Sequence, residues 1–285
     1  LHILALNTPR KLAAETRLNG LPVKVHHIQF GDIWLRDTGP IFLRRHGKLV
    51  AACFGFNGWG GKYDLPHDKE VSHNVAQASG TESVSVDAIL EGGSIEVDGA
   101  GTCLTTKQCL LNPNRNLKLS MGDLNDLMKQ TLGVSKVLWL DHGLLNDHTD
   151  GHIDTIARFT SPGHVVCMKA ATQDDPNAKV LETIHEALSQ MTDASGNPLV
   201  VHRIPSPGKV TDDDGRILPA SYVNFYISNH SVIVPTYGTP NDGAAVTAIA
   251  KLFPNRRVVG SPAIRLLRGG GAFHCITQQQ PRNAA

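Results

Sequence analysis

The stretch SMGDLNDLMKQTL at residues 120–132 decides how the fold is read. Ser120 stands before an apolar stripe of Leu124, Leu127, Met128 and Leu132 at helical spacing. Asp123, three residues on, makes a near capping box, so a helix is predicted over 120–132. An apolar run at 137–140 then predicts a strand, and a polar loop holding Asp147 to Asp154 follows it. The same order recurs along the chain. Helical patterns at 68–77, 177–190 and 242–253 start roughly 50 to 65 residues apart, the mark of a repeat. In 177–190, after Pro176, the stripe is Val180, Leu181, Ile184 and Leu188. In 242–253, Asp242 is read as the cap, Val246, Ile249, Ala250 and Phe253 as one face, and Pro254 as the stop. The strand-like runs at 25–30 and 84–90, and Val258 with Val259, lead toward GDIWLRDTGP, Glu91-Gly92-Gly93 and Gly269 to Cys275. No such unit buries its apolar face alone, so the repeats are expected to close around an axis where these loops meet. One α/β domain over residues 1–285 is the expectation, with SPGKVTDDDGR at 206–216 a surface loop rather than a boundary.

Composition excludes several classes. A hydrophobic fraction of 41%, a charged fraction of 19% and a net charge of +1 describe an ordinary globular chain, with no charge excess to draw nucleic acid or an anionic membrane. No apolar run is long enough to span a bilayer. Cys53, Cys103, Cys109, Cys167 and Cys275 are odd in number and lack a CxxC pair. That argues against a disulfide framework or a cysteine-based zinc site and fits a reducing compartment, the cytoplasm. The chain opens LHILAL, strand-like, with neither an initiator Met nor a visible signal peptide; a fragment or a removed N-terminus is expected.

The chemistry lies in four loops. GGGAFHCITQQQP at 269–281 sets three glycines before His274 and Cys275, a mount for a reactive thiol or a tight turn before an inert one. In GDIWLRDTGP at 31–40, Asp37 and Trp34 offer a carboxylate beside an aromatic wall, or Arg36 and Asp37 form a structural pair. Glu91 in EGGSIEVDG at 91–99 is either part of a surface turn or a carboxylate that orients a histidine. NDHTDGHID at 146–154 carries His148, His152 and Asp154, which could ligate a divalent metal in a hydrolase, although Gly151 makes a continuous helix doubtful. Otherwise His152 transfers protons, with Asp154 as a second carboxylate on the same strand face. A thiol among carboxylates suits neither an anionic nor a neutral substrate, because those charges disfavour the thiolate. A guanidinium resolves the conflict: it neutralises the carboxylates, matches their geometry and presents an electrophilic carbon.

GDIWLRDTGP, FNGWGGKYD at 56–64, EGGSIEVDG, KQCLLNPNRN at 107–116, TDGHID at 149–154, ASYVNFYISN at 220–229 and GGGAFHCITQQQP resemble the motifs of the agmatine deiminase and bacterial peptidylarginine deiminase family. They span nearly the whole chain in the family's order. The resemblance implies the pentein fold, a five-bladed α/β propeller of ββαβ units. It also implies an additional N-terminal segment, so that part of the first blade is expected to be missing here. By matching positions, Cys275 is the nucleophile, His152 the general acid and base, and Asp37 and Asp154 the guanidinium-binding carboxylates. Glu91 positions the histidine, Trp34 lines the substrate channel, and Asn224 lies near the site. The implied reaction converts agmatine to N-carbamoylputrescine and ammonia through an amidino-cysteine, with no metal or organic cofactor; peptidylarginine or arginine is the alternative substrate. A non-catalytic guanidine-binding relative is the rival outside enzymes. The family also implies a homodimer. His148 departs from the family pattern, standing where an acidic residue usually precedes the TD[GS]H core and could receive agmatine's distal ammonium.

Overall fold

The structure, a computed structural model, describes residues 1–281. The described residues divide into two compact units, one of Leu1–Gly92 with residues 278–281, the other Gly93–Thr277. Among the described residues the named strands form five sheets, two in the first unit and three in the second.

In the first unit β1 (His2–Ala5) and β2 (Lys24–His27) pair in parallel across α1 (Thr8–Arg17). Asn7 caps α1 by accepting the Arg10 N–H at 3.0 Å, and Pro9 sits in its first turn, where its missing N–H costs nothing. This helix was absent from the sequence expectation because it buries no residue and so carries no core stripe. The second sheet is the full unit: a hairpin of β3 (Ile41–Arg45) and β4 (Lys48–Gly55), then α2 (Val71–Ala78), then β5 (Glu82–Ile89) parallel to β4. Phe42, Ala51, Cys53 and Ala76 pack between helix and sheet.

The second unit repeats that order three times. β6 (Ile95–Val97) and β7 (Thr102–Thr106) precede α3 (Met121–Leu132) and β8 (Lys136–Leu140). β9 (Ala157–Ser161) and β10 (His164–Lys169) precede α4 (Ala178–Ser189) and β11 (Val200–Pro205). β12 (Tyr226–Ile227) and β13 (Ser231–Thr236) precede α5 (Asp242–Leu252) and β14 (Arg257–Pro262). In each, the hairpin is antiparallel and the last strand joins in parallel, as a helical crossover requires. The helices cover the sheets with narrow stripes: Leu181, Ile184 and Leu188 of α4 are buried with Val165, Val166 and Met168 of β10 in one continuous core. Burying each such side chain contributes about 1.5–3 kcal/mol, which offsets the cost of ordering the helix.

The helices predicted at 68–77, 120–132, 177–190 and 242–253 are all present, and Ser120 with Asp123 forms a complete capping box. Three details differ. Asp242 does not cap α5; it lies in the first turn, and its carboxylate accepts from the Tyr237 and Gly238 N–H groups and the Tyr222 hydroxyl. Ala250 faces solvent, and Ala245 with Ile249 makes the buried contact instead. In 206–216, Ser206, Pro207 and Val210 are buried, while Lys209 and most of the turn beyond Val210 are exposed. The long loops of this unit follow β8, β11 and β14, so one repeat after another delivers residues 141–156, 206–225 and 263–277.

Candidate active site

Cys275 ends the last of these loops and is 7% exposed. Its Sγ lies 3.2 Å from Nδ2 and 3.4 Å from Oδ1 of Asn224, and 3.5 Å from Oδ2 of Asp154. Asn224 is locked in orientation by its other bonds. Oδ1 accepts the backbone N–H of His274 at 3.2 Å and of Cys275 at 3.4 Å, while Nδ2 donates to the Asp154 carbonyl at 3.3 Å. The sulfur therefore has an amide donor on one side and a buried carboxylate on the other. Asp154 Oδ2 also meets Nδ1 of His274 at 2.7 Å, so the residue before Cys275 in sequence is the partner of the carboxylate beside its sulfur.

Only Gly270 of the three leading glycines shows a positive φ, +116°, and a Cβ there would lie 2.0 Å from Cε1 of His148. The His148 ring thus packs closely against the backbone of the loop that carries Cys275. Gly270 is required for that approach.

The loop 146–155 is neither a helix nor the strand face expected for His152 and Asp154. His152 precedes a short 3-10 turn, Ile153–Thr155, that carries Asp154. Asp147 organises the turn by accepting from the Thr149 N–H at 2.9 Å and its hydroxyl at 2.6 Å, and Thr149 Oγ1 accepts the His152 N–H at 3.2 Å. Gly143 and Gly151 touch: a Cβ on Gly143 would sit 2.4 Å from the Gly151 Cα. His152 is 1% exposed, and one ring nitrogen lies within 4.8 Å of the Cys109 sulfur. Among the described residues, His148, His152 and Asp154 do not bring three ligand atoms within that distance of one another.

In the first unit Arg36 and Asp37 are buried on one short helical turn, Leu35–Thr38, and Trp34, also buried, stands at its N-cap. Trp59 Nε1 donates to Asp37 Oδ2 at 2.9 Å. Trp59 itself holds φ +54° and ψ +51°, an uncommon conformation for a large residue, and is braced edge-on by Phe56 at 4.9 Å and Tyr63 at 5.7 Å. This accounts for FNGWGGKYD, a motif whose part in the site the residues alone did not reveal. Glu91 is fully buried, which removes the surface-turn reading of EGG. Gly92 presses on the Asp37 turn so closely that a Cβ would lie 2.2 Å from the Arg36 carbonyl oxygen.

Buried groups elsewhere differ in kind. Burial pushes the Cys103 and Cys167 thiols up to about 12 and raises Cys53 as well, so these are core hydrophobes. Glu96, close in sequence to Glu91, holds Arg158 Nε at 2.7 Å and the Phe159 N–H at 3.1 Å, a structural pair. Tyr237 is pushed up by burial, and its hydroxyl donates to the Ser221 carbonyl at 2.8 Å.

Residues 1–281 match the family described as Porphyromonas-type peptidyl-arginine deiminase. The chain belongs to this family. It is 38% identical over 294 residues to the agmatine deiminase of Stutzerimonas stutzeri, covering 95% of this chain and 80% of that one. The agmatine deiminase of Enterococcus faecalis, solved catalysing its reaction, superposes with a TM-score of 0.92 at 34% identity over 99% of this chain and 83% of its own. A cysteine-to-serine variant of the C. jejuni agmatine deiminase with substrate bound gives 0.90 at 30% identity over 100% and 83%.

Family membership makes the omissions instructive. His274, which the motifs left without a role, is buried against Asp154. Its adjacency to Cys275 was visible; its partner, 120 residues away, was not. Cys109 and the turn that bears it were noted as a family motif without a role, and they lie beside His152.

Proposed function

We propose that the protein is a deiminase that hydrolyses agmatine to N-carbamoylputrescine and ammonia through a covalent amidino intermediate on Cys275. The observation that carries this is the environment of Cys275, a buried sulfur with the Asn224 amide on one side and the Asp154 carboxylate on the other. That carboxylate disfavours a thiolate by itself, and a bound cation neutralises it and favours one. In the proposed reaction Asp37 and Asp154 receive the guanidinium, with Trp34 as a wall of the channel and Asn224 steadying the sulfur. The thiolate attacks the guanidinium carbon, forming a C–S bond. His152, oriented by Glu91, gives a proton to the departing nitrogen; the C–N bond breaks and ammonia leaves. His152 then takes a proton from water, whose oxygen attacks the amidino carbon. Collapse breaks the C–S bond, the proton on the added oxygen passes to solvent, and the ureido product and the thiolate are released. Every step is proton transfer and substitution.

The agmatine deiminases among the relatives support agmatine as substrate; the family's own description favours peptide-bound arginine as the second reading. The five sheets, four ββαβ and one βαβ, support reading the fold as the five-bladed pentein propeller within one domain. Among the described residues no helix is long and apolar enough to cross a membrane, and the cytoplasm is the proposed compartment. The test is ammonia and ureido-product release from agmatine, arginine and an arginyl peptide, with mass spectrometry of the trapped protein. Agmatine is expected to turn over, with the adduct on Cys275 and none in Cys275→Ser. Near wild-type ammonia release by Cys275→Ser overturns the proposal.

A further inference from the structure

We infer that the turn at residues 106–115 is the positioning element for His152, with Arg115 as its anchor; the inference rests on His152 acting as the general acid and base. Three consecutive residues before His152 each take a bond from this turn. Arg115 Nη2 donates to the Thr149 carbonyl at 3.0 Å. Arg115 Nη1 at 2.6 Å and Asn114 Nδ2 at 3.0 Å both donate to Oδ2 of Asp150. Thr106 Oγ1 donates to the Gly151 carbonyl at 2.7 Å. Thr106 also caps the short helix that carries Cys109 and so links the two sides.

These bonds fall where the backbone needs them. Asp150 and Gly151 hold φ of +67° and +83°, two left-handed residues in succession, and the chain direction at His152 depends on both. Glycine adopts that conformation freely; aspartate does so at a cost, offset here by the ion pair on its side chain. The Arg115 side chain is fully buried and that of Asp150 17% exposed, so the pair is shielded from solvent screening. Gln108 completes the grip. Its Oε1 accepts the Gly143 N–H at 2.9 Å and lies 2.6 Å from where a Gly151 Cβ would be, a space that keeps residue 151 a glycine. Arg115 is accordingly a positioning residue, acting on the reaction only through His152.

The test compares wild type, Arg115→Lys, Gln108→Met and His152→Ala for kcat, KM, the pH profile of kcat, melting temperature and the rate of Cys275 alkylation by iodoacetamide. Arg115→Lys keeps the charge but loses the two-pronged reach. It is expected to lower kcat about ten- to hundredfold, as displacement of a catalytic group by about 1 Å does. KM is expected to change less than about threefold, because substrate binding is not what the residue serves. The pH profile should move and Cys275 alkylation stay near wild type. Unchanged kcat and pH profile with a lowered melting temperature overturn the inference, since the ion pair is then merely structural. Equal losses in kcat and alkylation also overturn it, because the whole site has then collapsed. Should Arg115→Lys not fold, Gln108→Met must show the same split. A fully active His152→Ala defeats the underlying role of His152 instead, an outcome distinct from the others.

Discussion

Replacing Asn224 with aspartate tests the electrostatics of the Cys275 thiol with almost no change of shape. The Asn224 Nδ2 donor stands 3.2 Å from the Cys275 sulfur, and Oδ1 at 3.4 Å accepts two backbone N–H groups that a carboxylate oxygen also accepts. Asn224→Asp therefore keeps the bonds from the His274 and Cys275 N–H groups, loses the Nδ2 bonds to the sulfur and to the Asp154 carbonyl, and adds a negative charge beside the sulfur. Two unit charges at that separation repel by about 5 kcal/mol at an effective dielectric of about 20. Relaxation of the site leaves roughly 1–3 kcal/mol of this, or about ten- to hundredfold less thiolate near neutral pH. Iodoacetamide alkylation of Cys275, followed by intact mass between pH 6 and 10, should slow by that factor at pH 7.5, with its inflection moved to higher pH. Circular dichroism and melting should stay close to wild type. An alkylation profile that superposes on the wild-type curve, in a protein that melts normally, refutes the claim that Asn224 and its neighbours control the thiol.

Two further outcomes follow from buried groups elsewhere. With Cys103 and Cys167 pushed up to about 12 and Cys53 raised, a disulfide reagent at pH 8 should leave these three thiols unmodified in native protein and reach all five cysteines in denaturant; fast modification of any of the three in native protein would contradict the burial argument. Asp68 accepts from the Gly31 N–H at 2.7 Å and the Asp32 N–H at 3.2 Å, but burial outweighs these bonds and raises its carboxyl above the usual 3.8. The folded state then binds the proton more tightly than the unfolded one, so Asp68 makes stability fall as pH rises from about 4 through its folded value. Asp68→Asn should abolish that slope and, in urea melts, gain on wild type from pH 4 to pH 7; a constant difference between the two proteins across that range would show the sign to be wrong.

The repeat was legible because each helix must bury a stripe at a spacing of three and four. Leu181, Ile184 and Leu188 announce α4 in sequence and occupy the core in the structure. The first helix was not legible, for the same reason: Thr8–Arg17 has nothing to bury. Asp242 misled because an acidic residue at a helix start reads as a cap whether it serves its own helix or, as here, receives the Tyr237 and Gly238 N–H groups of the preceding loop. Within the site, GGG before Cys275 signalled a constrained backbone. Which glycine mattered, and for what, depended on where His148 packs.

By itself the sequence determined the kinds of group available: one thiol on a glycine-led loop, histidines and carboxylates in short motifs, and a helix–strand rhythm able to bring distant loops close. Those follow from local chemistry and periodicity, which neighbouring residues encode. Only the tertiary structure decided which groups touch. Asn224 and Asp154 reach the Cys275 sulfur, His274 turns to Asp154, and Arg115 takes Asp150, across separations of 51, 121, 120 and 35 residues. Contacts at such separations are set by the packing of the sheets that carry the loops, and no local pattern along the chain records them.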